Sequence, residues 1–154
     1  MLAIDQIRRC FLFFELLDEE IDLVVKSCYI ESFEDGQVIF RENDIGSDLY
    51  VILAGRVRMT KEIDGREIDI MTINKGEALG ETVLISESKR MTNIIASGKV
   101  DLLVIDQDTI FSLYEKHPKI FGVVMLNLSR TLTNRLHKAN QTIAEMHRKF
   151  RKVA

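Results

Sequence analysis

Anion capture is the chemistry suggested by one stretch of this chain, Lys75-Gly76-Glu77-Ala78-Leu79-Gly80-Glu81-Thr82-Val83-Leu84-Ile85, continued after two intervening residues by Ser88-Lys89-Arg90-Met91-Thr92. Gly80 lacks a Cβ, so the backbone there can approach a ligand closely. Glu81 to Ile85, with Thr82 and Val83 inside, suit a single helical turn whose free N–H groups face an anion. Arg90 adds a planar guanidinium that grips two oxygens of a phosphate at once, which a lysine does less well. Glu81 would be repelled by an anion unless it faced away from it, so its natural role is to accept hydrogen bonds from a neighbouring sugar hydroxyl. A plain Glu81–Arg90 salt bridge is a poor reason for the arrangement, since exposed pairs contribute only about 0–1 kcal/mol.

Other chemistries lack their residues. The three histidines, His117, His137 and His147, all follow the region rich in strand formers, so a metalloenzyme built on histidines inside a β-barrel has no ligands and no metal is expected. No Gly-x-Ser-x-Gly elbow or phosphate-binding Walker loop occurs, and no catalytic residue is assigned. Cys10 and Cys28 have apolar neighbours and no zinc or disulfide spacing, which makes them core residues. No run reaches the roughly 18 apolar residues needed to span a bilayer, and the N-terminus lacks the order of a signal peptide. The expectation is a cytoplasmic, non-enzymatic protein.

Three textures position these residues. Residues 1–28 read as helical, with Ile4, Ile7, Phe11 and Phe14 at helical spacing and Asp18 as the N-cap of a second segment. Residues 29–106 break into short β-branched runs punctuated by Gly36, Gly46, Gly55, Gly65 and Gly76, the rhythm of hairpins. Asp64-Gly65 suits a type I′ turn with both residues at positive φ. Residues 107–154 are helical again, with Pro118 placed to open the last helix. In that helix Met125, Ser129, Leu132, Leu136, Ala139, Ile143, Met146 and Phe150 alternate in steps of four and three. Such a seam wants a partner, and a second copy of the chain is the economical one, giving a homodimer through the Met125–Phe150 helix. The same helix is basic: from Ser129 to Ala154 seven Lys/Arg face one acid, Glu145, in a chain of net charge −3.

The site segment resembles the phosphate-binding cassette of cyclic nucleotide-binding domains, whose pattern runs Phe-Gly-Glu, small apolar residues, then Pro-Arg and small residues. Gly80-Glu81 and Arg90 match it with the family's spacing. Gly36-x-Val-Ile-Phe-Arg-Glu-Asn, the run Asp48 to Val57 and Gly76-Glu77 resemble the family's strands, so the likeness covers nearly the whole chain.

The resemblance implies one α+β domain over 1–154: an antiparallel, jelly-roll-like β-roll (a double-stranded β-helix) over 29–106, with its cassette at 79–92, flanked by N-terminal helices and a long C-terminal helix. It implies a regulatory module of the catabolite-activator or protein-kinase-A-regulatory kind. Glu81 would hold the ribose 2′-hydroxyl, Arg90 the cyclic phosphate, and backbone N–H groups near Thr82 and Met91 the remaining oxygens, with Gly80, Val83 and Thr92 lining the same site. A residue of the last helix covers the base in the family, and Arg130, Thr131 and Asn134 are the candidates here.

The departures are Leu79 for Phe, Lys89 for Pro, and Met91 where a hydroxyl helps relatives recognise guanine. They favour cyclic AMP over cyclic GMP as ligand, with no other cofactor. The alternative is a degenerate roll that dimerises or docks a protein without nucleotide. DNA binding is not expected, because activators of that type read DNA with a further domain after this helix. An unidentified protein effector is.

Overall fold

The computed structural model describes residues 2–84 and 89–153. The chain opens with α1 (Leu2–Arg8), a 3₁₀ turn (Phe11–Phe13) and α2 (Asp18–Val25). The continuous helical reading of the N-terminus therefore fails at Cys10, which is extended at φ −78°, ψ 139°. The Phe11 N–H is drawn instead to the carbonyl of Gly76, at 3.0 Å. That long-range bond replaces a helical one. Leu12 and Phe13 enter the core, whereas Phe11 and Phe14, placed on the helical stripe by spacing alone, are each 61% exposed. The cap of α2 is Leu17 rather than Asp18: the Leu17 N–H donates to the Glu20 carboxylate at 2.9 Å, and Asp18 occupies the first helical turn.

Among the described residues six antiparallel strands follow: β1 (Tyr29–Phe33), β2 (Val38–Phe40), β3 (Leu49–Ile63), β4 (Arg66–Asn74), β5 (Ala78–Leu79) and β6 (Asn93–Ile105). Their order is β1-β6-β3-β4, with β2 on β6 and β5 on β3. The long strands β3 and β6 pair from Leu49↔Ile105 to Thr60↔Asn93, and their register shifts twice around Ala54. Bulges there bend the ribbon so that its two halves close over each other as a roll. Gly55 sits at the bend with φ +80°, where an added Cβ would lie 2.3 Å from the Lys99 carbonyl oxygen. The Asp64-Gly65 turn has φ 52° and 74°, as a type I′ hairpin requires.

Strand alternation divides the core in two. Leu49, Val51, Leu53, Leu103 and Ile105 face the helices and pack with Ile7, Phe13, Ile21, Ile110, Val124 and Leu128. Tyr50, Ile52, Leu102 and Val104 face the roll interior with Val57, Ile73, Leu79 and Ile94. The protein is thus an antiparallel β-roll with helices at both ends. Beyond β6, Asp106 caps α3 (Gln107–Lys116) by accepting from the Thr109 N–H at 2.7 Å. The final helix α4 (Pro118–Val153) starts at the proline and runs 36 residues, about 54 Å at 1.5 Å per residue. Ile120, Val124 and Leu128 bury it on the roll, and past Leu132 its apolar side chains face outward. None of the described helices is long and apolar enough to cross a membrane.

Candidate functional site

The turn after β5 and the approach to β6 bring Gly80 and Glu81 together with Arg90. Gly80 has φ +84°, and a Cβ there would lie 2.6 Å from the Asp48 carbonyl oxygen, so glycine is required by both backbone and space. Glu81 begins a 3₁₀ turn (Glu81–Leu84) that carries Thr82 and Val83. The side chains of Thr82 and Val83, and all of Ile85 and Ser88, lie outside the described residues.

Arg90 is 3% exposed, rare for an arginine. Its own backbone is clamped: the Arg90 N–H donates to the Asp44 carbonyl and its carbonyl accepts from the Asn43 N–H, both at 2.8 Å. Its guanidinium donates from Nη2 to the Asp48 carbonyl at 3.1 Å and from Nη1 to the Gly80 carbonyl at 3.4 Å. The Phe40 ring centroid lies 4.2 Å from the guanidinium carbon and that of Tyr50 5.6 Å away. Carbonyl oxygens and ring faces both favour a cation. Gly46 completes the seat, since a Cβ on it would come within 2.6 Å of Arg90 Nε. Burial, then the Asp48 carboxylate, pushes the Tyr50 phenol above its ordinary value, and Arg90 pulls it back in part.

Arg90 and Phe40 line a cavity of about 160 Å³ together with Gly80, Glu81, Met91, Thr92 and apolar residues of the roll. The cation wall, the special glycine and the acid are therefore assembled in one place. Met91 is 64% exposed at the rim.

The three residues proposed to cover the base sit elsewhere on α4. Arg130 donates to the Asn127 Oδ1 at 2.9 Å and pairs with Glu15 at 3.3 Å. The Thr131 hydroxyl bonds the Asn127 carbonyl, and Asn134 lies with both along a separate groove. Among the described residues the α4 side chain that contacts the cassette is Arg135, which is not among the three residues expected from the sequence. Its Nη2 donates to the Ala78 carbonyl, its Nη1 lies 3.7 Å from Glu81 Oε2, and its side chain is only 12% exposed. Nε and Nη1 have no hydrogen-bond partner among the described residues. The available signal was modest: Arg135 lies one helical turn beyond Thr131.

Among the described residues no cluster of His, Cys, Asp and Glu could hold a metal ion. Cys10 and Cys28 are free thiols, and each donates to a carbonyl four residues earlier.

Known proteins carry the same arrangement of elements. The cyclic AMP receptor protein of Thermus thermophilus is 29% identical over 130 residues, 84% of this chain and 58% of its own. Human cGMP-dependent protein kinase 2 is 31% identical over 121 residues, 75% of this chain but 16% of the kinase. This chain thus spans under two thirds of each. The solved structure of a cyclic nucleotide-binding domain from Methylobacillus flagellatus superposes with a TM-score of 0.83, covering 94% of this chain and 82% of that one at 23% identity, which shows the fold. The Thermus thermophilus catabolite activator protein superposes at 0.74 with 28% identity, over 89% of this chain and 63% of its own. The family model of the cyclic nucleotide-binding domain matches residues 30–117, more than half of the sequence, and this chain belongs to that family.

Proposed function

We propose that the chain is a cyclic nucleotide sensor that prefers cyclic AMP to cyclic GMP, performs no catalysis, and passes ligand binding to α4 through Arg135. The observation that carries this is the buried Arg90, fixed by the carbonyls of Asp48 and Gly80 as the cationic wall of a cavity it shares with Glu81. In this reading the cyclic phosphate lies on Arg90, on the Gly80 backbone and on the N–H groups of Thr82, Val83 and Met91. The ribose hydroxyl bonds Glu81, and Thr92 lines the rim. Met91 offers no hydroxyl to guanine, which supports the adenine preference.

A cavity of about 160 Å³ is smaller than the roughly 300–1,000 Å³ of small-molecule sites, so a bound nucleotide extends beyond it. Arg135 is the α4 group placed to respond: it lies against Glu81, and a ribose hydroxyl needs the same carboxylate. The ligand then binds the arrangement with Arg135 repositioned better than the one with Arg135 seated on Glu81, and shifts α4 by that difference in affinity. Arg130, Thr131 and Asn134 take part in covering the base only if α4 turns as it moves. The protein acts in the cytoplasm as a homodimer joined along the outward face of α4, and reports to a protein effector.

Titration calorimetry with cyclic AMP and cyclic GMP, on the wild type and Arg90→Ala, tests the reading. Tighter binding of cyclic AMP, lost in the variant, is the expected result. No heat from either nucleotide would make the roll a dimerisation or docking module instead.

A further inference from the structure

A second cavity, of about 600 Å³, lies between α4 and the 3₁₀ turn Phe11–Phe13 and shares no lining residue with the cavity at Arg90. One wall is fixed. Asn127, a polar side chain 3% exposed, donates from Nδ2 to the Leu12 carbonyl at 3.1 Å and to the Phe14 carbonyl at 2.6 Å, and Phe11 is tied to Gly76. On this anchored turn the Phe11 and Phe14 rings line the groove and stay mostly exposed. Burying such a ring is worth roughly 1.5–3 kcal/mol, so two of them held open on a rigid turn point to an occupant. The next residue, Glu15, adopts φ 68°, a left-handed conformation unfavourable for a residue with a side chain, and its carboxylate meets Arg130 across the groove.

The other wall is basic. Within about two turns α4 brings Arg130, Arg135 and Lys138 to the groove, with Arg130 paired to Glu15 and Arg135 beside Glu81, and Glu77 is the acid among the lining residues. Lys138 makes no ion pair among the described residues. The groove face, Asn127, Thr131, Asn134, Lys138 and Gln141, is also the opposite side of α4 from the apolar seam: at 100° per residue Asn134 stands about 200° from Leu136. A second copy seated on the seam would leave the groove open.

We propose that this groove is a second ligand site, which takes a small organic anion carrying a flat unsaturated ring. The ring lies on Phe11 and Phe14, and the carboxylate, sulfonate or phosphate meets Arg130 and Lys138. Its volume falls within the usual range for such sites, and its chemistry does not depend on whether the roll binds a nucleotide.

The probe is 8-anilinonaphthalene-1-sulfonate, an aromatic anion, titrated into the full chain by fluorescence and calorimetry. The expected result is saturable one-to-one binding, weakened at least tenfold in Lys138→Glu and in Arg130→Gln. Binding persists in Leu136→Asp and in Arg90→Ala, and saturating cyclic AMP, which repositions α4, alters its affinity without displacing the probe. Lys138 is exposed, so its variant retains the fold. Equal binding by wild type and Lys138→Glu would overturn the proposal. So would loss in Leu136→Asp, which puts the probe on the seam, or displacement by cyclic AMP, which makes the groove part of the nucleotide site.

Discussion

Arg135 Nη1 lies 3.7 Å from Glu81 Oε2, bridging the long helix and the cassette. Glu81 keeps 32% of its side chain exposed, so solvent screens the pair and its strength is of the order of 0–1 kcal/mol. The other hold on Arg135 is the Ala78 carbonyl, which accepts from its Nη2. A contact that weak can be exchanged for a ligand hydroxyl at little cost, which a sensor requires of the group its ligand displaces.

Removing Arg135 should therefore separate binding from its consequence. In Arg135→Ala the affinity for cyclic AMP stays within about tenfold of the wild type, since tenfold is 1.4 kcal/mol and the pair is worth less. The nucleotide-dependent change in amide exchange over residues 131–139 disappears. A helix response in the variant equal to that of the wild type would take Arg135 out of the path.

The two glycines around Arg90 should fail differently. Gly80→Ala meets the Asp48 carbonyl at 2.6 Å and a φ of +84°, both backbone obstacles, and such strain costs about 1–3 kcal/mol before the clash is counted. Gly46→Ala meets the guanidinium of Arg90 instead, which is a side chain and can be displaced. The first variant should melt several degrees lower. The second should keep a melting temperature near wild type and lose most nucleotide affinity, because the cation no longer points into the cavity. Equal affinity in Gly46→Ala and wild type would show that the position of Arg90 is not what binding reads.

Much of this was legible in the sequence because it is local. The Asp64-Gly65 hairpin, the start of α4 at Pro118 and the meeting of Gly80 with Arg90 follow from turn chemistry and order along the chain. What escaped depends on distant partners. The helix expected through Phe11 ends because Gly76, 65 residues on, takes the Phe11 N–H. That Arg135 lies against Glu81 while Arg130 and Thr131 face another groove depends on how α4 leans on the roll, which periodicity cannot specify: it gives the faces of a helix but not its tilt. Leu17 replaced Asp18 as the cap because a capping carboxylate, that of Glu20, was available three residues on.

The outward face of α4 gives a prediction of assembly. Leu136, Ile143, Met146 and Phe150 are between 55% and 76% exposed, in steps of seven, three and four. A row of that kind on a helix standing clear of its own roll is stabilised by a matching row from a second copy. Sedimentation of the wild type at micromolar concentration should give a dimer, and Leu136→Asp with Ile143→Asp a monomer with an unchanged melting curve for the roll. A monomeric wild type would reject the seam.

The buried thiols contribute a pH-dependent part of the stability on the alkaline side. Burial pushes the Cys10 thiol from 9.0 up to about 11, against a smaller pull from Lys75, and pushes Cys28 up to about 12, with Asp106 adding to the effect. An unfolded chain ionises these thiols near 9, while the folded chain keeps them protonated, so the unfolded state loses protons first as pH rises. Their contribution is complete below pH 9 and falls above it, for Cys10 by about 1.4 kcal/mol per pH unit until its folded value is reached. Cys10 is 3% exposed and Cys28 partly buried, so Cys10 should carry the clearer signal. Urea unfolding at pH 8 and pH 10 should show a larger loss of stability in the wild type than in Cys10→Ala, by about 1 kcal/mol. Alkylation of Cys10 at neutral pH should be slow in the native protein, because the thiolate is the reactive form. Equal pH dependence in the two proteins would mean that Cys10 ionises in the folded chain as readily as in the unfolded one, and that its burial exerts no control on it.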